Sequence, residues 1–293
     1  MWQQQSFALE GKEAILYLVP TPIGNLEDMT YRAIRILKEA DVIAAEDTRN
    51  TKKLCNYFGI DTPIISYHEH NKEYSGKQVV DRLLGGQTVA LVSDAGMPAI
   101  SDPGFELVLD ALKERVTVVP LPGANAATTA LIASGIQTQP FYFYGFLDRS
   151  PKVKKKQLEQ LKTVCATVIL YESPHRLKET LSVIQTIVGG HRQIVLCREL
   201  TKKFEEFIRG TIDEACQWAK ENEVRGEFCL VLEGASESDI AEEENQWWEG
   251  LSIVEHVDTY MNEKGMSNKE AMKEAAKDRQ LHKRDVYHAY HIE

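Results

Sequence analysis

Three turns rich in glycine and proline offer the clearest chemistry in this chain. Residues 20–24 read Pro20-Thr21-Pro22-Ile23-Gly24, residues 93–104 contain Ser93-Asp94-Ala95-Gly96-Met97-Pro98 and Ser101-Asp102-Pro103-Gly104, and residues 120–123 read Pro120-Leu121-Pro122-Gly123. Each follows a short run of β-forming residues. Turns at the carboxyl ends of parallel strands expose backbone N–H groups and helix N-termini, the groups that hold a polar ligand. Gly24, Gly96 and Gly104 permit close approach of backbone to such a ligand. One turn of this kind is as well explained by a tight connection, but three on one edge point to a binding crevice. Asp94 can accept hydrogen bonds from a ligand amine or hydroxyl, or brace its own turn. Neither G-x-G-x-x-G nor G-x-x-x-x-G-K-[ST] occurs, so a nicotinamide or ATP site finds no support.

Other polar groups also fall at strand ends. Glu46-Asp47-Thr48-Arg49 follows the apolar run at 42–45, and Tyr171-Glu172-Ser173-Pro174-His175-Arg176 follows the run at 164–171. Pro174 suits a first helical turn, which places Glu172 and Arg176 at the ligand-side edge. His68 and His70 flank Glu69, but no third ligand cluster accompanies them and H-E-x-x-H is absent, so no metal is expected. Residues 198–203 and 205–210 mix both charges and read as solvated loop, with a channel lining as the alternative.

The elements that position these groups alternate between apolar runs and helical patterns from about residue 15 to 233, which predicts an α/β architecture. Strands are expected at 15–19, 42–45, 89–92 and 116–119, then at 164–171, 193–197 and 227–232, with a fresh series starting near residue 141. Thr30 can cap a helix carrying Ile34, Leu37 and Ala40. Further helices are expected at 176–188 and 212–221. The boundary between two α/β domains falls near residues 121–123, in a Pro/Gly turn. Beyond an acidic stretch at 237–249, helices are expected at 253–264, 267–279 and 283–291.

Composition is that of a soluble globular protein, with 43% hydrophobic and 27% charged residues. No apolar run reaches membrane-spanning length, and the N-terminus lacks the form of a secretion signal. The five scattered cysteines predict reduced thiols in a cytosolic protein. The net charge of -10 argues against a nucleic-acid partner, but its distribution is uneven. Residues 237–249 hold six acids and no Lys or Arg, whereas residues 264–285 hold seven Lys or Arg against four acids. Arg149, Lys152, Lys154, Lys155 and Lys156 form a second basic cluster. Lys269, Lys273 and Lys277 recur every four residues and share a helical face, which with Arg279, Lys283 and Arg284 could touch phosphates or simply face solvent.

With these segments in place, the chain resembles the tetrapyrrole methylase superfamily. Within it, the chain is most similar to the ribosomal RNA small-subunit methyltransferase I family, ribose 2′-O-methylases of a decoding-region cytidine. The resemblance covers nearly all of residues 15–293 and is carried by the motifs at 16–30, 46–49, 93–98, 101–104, 120–125, 171–176 and 198–201. It implies two α/β domains of the class III methyltransferase type, at 1–121 and 122–236, with S-adenosyl-L-methionine in the cleft between them. An acidic linker at 237–250, a small helical extension at 251–293, a homodimer and a cytoplasmic location complete the expectation. The family's first loop falls on Thr21–Gly24, implicating Pro22 and Gly24. Its cofactor-cradling loop implicates Ser93, Asp94, Ala95, Gly96, Met97 and Pro98, and the neighbouring segment Ile100 and Ser101. Its third loop implicates Asn125 and Ala126, where the superfamily has Thr-Ser, and Glu172 joins from the second domain. The first loop keeps only Pro22 and Gly24 of the superfamily's Gly-x-Gly-Pro-Gly, which fits a different acceptor.

The implied reaction is in-line transfer of a methyl group to a ribose 2′-oxygen without a metal. Candidate proton acceptors or orienters are Glu46, Asp47, His68 and Glu172, and the sequence does not choose among them. Arg49, Arg176 and Arg198 are candidates to hold phosphate or ribose. The partner is small-subunit ribosomal RNA, as free RNA or in the assembled subunit. The rival readings are a tetrapyrrole methylase and a non-catalytic ribosome-assembly protein on the same fold.

Overall fold

The computed structural model describes the chain except residues 7–13, 69–71, 237, 240–247, 249, 280 and 292–293, and gives only the backbone of 72–73. It divides into two compact units, Met1–Leu161 with Ala166–Glu233, and Lys162–Cys165 with Gly234–Glu293.

The first unit carries two five-stranded sheets. One is built from β1 (Ile15–Leu18), α1 (Tyr31–Glu39), β2 (Val42–Ala45), α2 (Thr48–Phe58), β3 (Ile64–Ser66), α3 (Lys72–Leu84), β4 (Val89–Val92), α4 (Phe105–Lys113) and β5 (Thr117–Pro120). Its strands are all parallel, in the order β3-β2-β4-β1-β5. Helices cover both faces, so β2 and β4 are buried along their whole length and read as unbroken apolar runs. One face packs Ile36, Leu37, Ile43 and Val119, the other Leu16, Leu83, Leu91 and Leu107. Thr30 caps α1 by accepting the Ala33 N–H. The strand expected at 116–119 lies one residue later, and β3, three half-buried residues long, gave no sequence signal of its own.

The other sheet uses α5 (Ala126–Ser134), β6 (Phe141–Phe146), α6 (Pro151–Lys162), β7 (Thr167–Glu172), α7 (Pro174–Val188), β8 (Gln193–Arg198), β9 (Glu206–Thr211), α8 (Ile212–Glu221) and β10 (Phe228–Leu232). Its order is β6-β7-β10-β8-β9, and only β6 and β7 run parallel. Residues 205–210, read as loop from their charges, are corrected by the structure: most of them form β9, hydrogen-bonded to β8 along Gln193 to Arg198. An edge strand tolerates Glu206 and Arg209 because one of its sides meets solvent. Lys154 also departs from expectation. It is fully buried in α6 and donates to Glu179 Oε1 at 2.7 Å, so it cannot belong to a basic surface.

The second unit contains α9 (Ile253–Glu263), α10 (Asn268–Asp278) and α11 (Lys283–His291), around Val257, Tyr260, Ala271, Ala275, Ala276 and Val286. Ser252 with Glu255, and Ser267 with Glu270, form capping boxes that start α9 and α10. His256 is buried between the rings of Trp248 and Tyr260, at 5.5 and 5.1 Å, and burial followed by the nearby Arg279 holds its pKa below the usual value. Arg279 turns inward, donating to His256 Nδ1 and to the carbonyls of Trp248, Leu251 and Ser252. It is therefore structural and not a free phosphate contact, whereas Lys269, Lys273 and Lys277 stay exposed. Most of the acidic stretch at 237–249 lies outside the described residues. Among the described residues, no helix is long and apolar enough to cross a membrane.

Candidate functional site

A cavity of about 420 Å³ opens where the carboxyl ends of the parallel strands meet the mixed sheet. Its near wall is the loop after β4, fixed to the loop after β1 by an isolated antiparallel bridge. Thr21 and Gly96 exchange both N–H···O bonds at 2.9 Å, and the Thr21 hydroxyl donates to the Ser93 carbonyl at 3.2 Å. Gly96 sits at φ +77°, a conformation that side-chain-bearing residues rarely adopt, and Ile23 and the Ala124 carbonyl lie within ordinary contact of where a Cβ would be. Ala99 and Ser101 hold positive φ without being glycine, at 67° and 62°. Such backbone persists only where the surroundings over-determine it, and it clusters at ligand sites.

The far wall comes from the mixed sheet. Tyr171 packs edge-on against Phe143 and Phe146, its hydroxyl accepts the Ala127 N–H at 3.2 Å, and burial pushes its pKa up to about 12. Buried Glu172 accepts from Thr180 Oγ1 at 2.6 Å and from the Ser173 N–H at 2.8 Å. Arg176 lies 3.5 Å from Glu172 and donates to the Leu147 and Asp148 carbonyls, so this pair clamps the start of α7 to the loop after β6. Lys202 bridges Glu199 and Glu227 at 2.9 and 2.8 Å. The two walls touch at Gly24, where a Cβ would fall 2.5 Å from Lys202 Cγ and 2.9 Å from Thr201 Oγ1. Next to it, the Asn25 N–H donates to Thr201 Oγ1 at 3.1 Å.

Carboxylates gather at the parallel-strand edge. Asp102 lines the cavity, and burial, then Glu46 and later Asp94, push its pKa up to about 6 against a hydrogen bond from Ser93. Burial and then the Asp94 charge likewise raise Glu46, while a hydrogen bond from the Asp94 backbone and then His68 oppose them. Asp47 caps α2 and binds the Arg49 guanidinium at 3.1 and 2.7 Å, which lowers its pKa to about 2 and leaves it a weak base. Among the described residues no cluster of His, Cys, Asp and Glu could hold a metal ion.

The structure divides the expected residues. Ala95, Gly96, Met97, Ile100, Ser101, Asn125, Ala126 and Glu172 line the cavity together. Pro22, Gly24, Ser93 and Asp94 line a second cavity of about 300 Å³ beside α2, and Pro98 lines neither. Asn125 caps α5 by accepting the Thr128 N–H at 3.0 Å. Glu46, Asp47, Arg49 and His68 stand at the ends of β2 and β3, outside both linings, and Arg198 pairs with Glu206 at 3.0 Å. Glu69 and His70 lie outside the described residues. Asp102, Tyr171 and Lys202 are among the cavity residues that the sequence left unassigned. The first two sit inside motifs quoted for other members, and Lys202 falls in a charged segment read as loop.

The profile of the Tetrapyrrole (Corrin/Porphyrin) Methylases family matches residues 15–216. The protein named ribosomal RNA small subunit methyltransferase I from Bacillus subtilis (strain 168) is 61% identical over 290 residues, spanning 99% of this chain and 98% of its own. Its namesake from Halalkalibacterium halodurans is 58% identical over 293 residues and all of both chains. The chain belongs to the ribosomal RNA small subunit methyltransferase I family of tetrapyrrole methylases. The family fold extends to distant solved structures. A cobalt precorrin-4 methyltransferase superposes with a TM-score of 0.59 at 18% identity, over 78% of this chain and 98% of its own. A Thermus thermophilus uroporphyrin-III C-methyltransferase complexed with S-adenyl homocysteine gives 0.55 at 19% identity, over 75% and 97%.

Proposed function

We propose that this tetrapyrrole-methylase chain transfers a methyl group from S-adenosyl-L-methionine to the ribose 2′-oxygen of a cytidine in the decoding region of small-subunit (16S) ribosomal RNA. The observation that carries this reading is the 61% identity, over 290 residues, to a protein named for small-subunit ribosomal RNA methylation. The cavity suits the cofactor. Ala95, Gly96 and Ala126 carry little or no side chain, so a ligand can approach the backbone closely, while Ile100, Tyr171 and Phe146 offer apolar surface. Ser101, Asn125 and Glu172 add polar groups to its lining. When bound, the cofactor supplies an electrophilic methyl on a sulfonium centre. The chain's own work is placement, exclusion of water and acceptance of the hydroxyl proton. Asp102 is the carboxyl best suited to that last task, because a pKa of about 6 leaves it ionised yet basic near neutrality.

An RNA substrate places the enzyme in the cytoplasm. We also read the working form as a homodimer, since α4 leaves Phe105, Leu109 and Leu112 exposed one or two turns apart on one face. The test is transfer of tritiated methyl to purified small subunits and to naked ribosomal RNA, followed by ribose-methylation mapping, with particle mass taken by light scattering. One new 2′-O-methylcytidine in the decoding region is expected, from a dimer. Incorporation elsewhere removes the target. No incorporation into RNA, with transfer to a tetrapyrrole or to nothing, restores one of the two rival readings.

A further inference from the structure

The second cavity, of about 300 Å³, shares no lining residue with the cavity proposed for the cofactor. It is a groove between the loop at 21–26 and α2, whose Asn50, Lys53, Leu54 and Tyr57 recur at the spacing of one helical face. Tyr57 is 66% exposed, and Phe58 braces its ring edge-on at 4.9 Å and 84°. Asn50 is oriented by donating to Asp94 Oδ2 at 3.3 Å, which keeps its amide carbonyl for a donor on a ligand. Charge makes the groove distinct. In a chain of net charge -10, α2 carries Arg49, Lys52 and Lys53 and no acid; Lys53 lines the groove along with Asp94, and Arg49 stands one helical turn from Lys53 beside it. The Arg49 side chain is 85% exposed while Asp47 fixes its guanidinium in place. The groove also shares its wall with the cleft. Pro22, Gly24 and Asp94 face one side, Ile23 and Ala95 the other.

We infer that this groove is a nucleotide subsite for a single-stranded stretch of the RNA acceptor, an inference that rests on the RNA reading above. A base stacks on Tyr57, Lys53 and Arg49 meet the backbone phosphates, and Asn50 meets a base or ribose edge. The adjoining nucleotide is thereby directed over the shared wall toward Asp102.

The experiment measures binding of a fluorescein-labelled single-stranded RNA with the decoding-region sequence by anisotropy, alongside S-adenosylmethionine binding by calorimetry, on the full chain. Tyr57→Ala should weaken RNA binding about tenfold or more, as loss of one stacked base does, with cofactor affinity unchanged. Tyr57→Phe, which keeps the ring, should retain most of the affinity. Lys53→Ala should lower the slope of log affinity against log salt by about 0.7, the value for one phosphate contact on a single strand. Unchanged RNA affinity in Tyr57→Ala overturns the subsite, and so does an equal loss in Tyr57→Phe. A defect seen only with assembled subunits assigns the groove to a protein contact and overturns it as well. If the parent chain binds RNA through Tyr57 but methylates none, the function reading fails and the subsite stands. If the parent methylates RNA and Tyr57→Ala binds normally, only the subsite fails.

Discussion

The two sheets contribute to the cleft in different ways. The parallel sheet gives backbone: a β-bridge between Thr21 and Gly96, positive φ at Ala99 and Ser101, and a glycine at the point of contact with the other wall. The mixed sheet gives side chains held by one another, with Glu172 gripped by Thr180 and Lys202 between two glutamates. Parallel topology sends every β-to-α loop to one edge, so that wall is assembled from turns. Antiparallel pairing splits the loops between both ends, so the second wall must be built from the sides and ends of strands. One wall is fragile to changes of backbone shape, the other to loss of single polar partners.

The largest test of this contrast is Gly96→Val. A β-branched residue resists φ +77° and so strains the bridge, and should cost about 3 kcal/mol in urea unfolding. A loss under about 1 kcal/mol would show that the backbone of this wall is not constrained. Next is Thr180→Val, which leaves Glu172 Oε2 buried without its 2.6 Å donor. It should cost about 2 kcal/mol, and a neutral result would break the side-chain half of the comparison.

Smallest is the pH response of Asp102, which sharpens the contrast by showing what the turn-built wall costs. Its folded pKa of about 6 lies above the ordinary 3.8, so the folded chain keeps a proton that the unfolded chain releases. The stability that Asp102 itself contributes is therefore full below about pH 4 and is lost as pH rises through about 6. Asp102→Asn should remove this decline and gain about 1 kcal/mol at pH 7.5 after solvent screening, read from unfolding curves at both pH values. An identical pH response in the variant would show that Asp102 is not the group that titrates.

The same contrast explains what could be read in advance. The turns at Pro20 to Gly24, Ser93 to Gly96 and Pro120 to Gly123 were legible as turns because glycine and proline mark the backbone they impose, whereas Asn125 was implied by the resemblance alone. The buried strands Val42–Ala45 and Val89–Val92 were legible as apolar runs. Strand β9 was not, because an edge strand carries charges that look like loop. Lys202 was hidden for the same reason, since its role depends on Glu199 and on Glu227, which lies 25 residues away. Lys154 and Arg279 misled in the opposite direction: counting charges along a chain cannot show that one is buried and another folded inward. The basic face of α2 was overlooked because three charges in 11 residues do not stand out until the helix sets them beside a groove.

The bridge between Thr21 and Gly96 joins the two cavities, because Thr21 lines one and Gly96 the other. Whatever tightens that wall from the cofactor side lowers the entropy still to be lost when a nucleotide settles on the other side. If both proposed ligands bind, linkage requires that any such coupling be mutual, each ligand changing the affinity of the other by one and the same factor. An enzyme wired in this way favours the ternary complex over either half-loaded form, and releases both products more readily once one has gone.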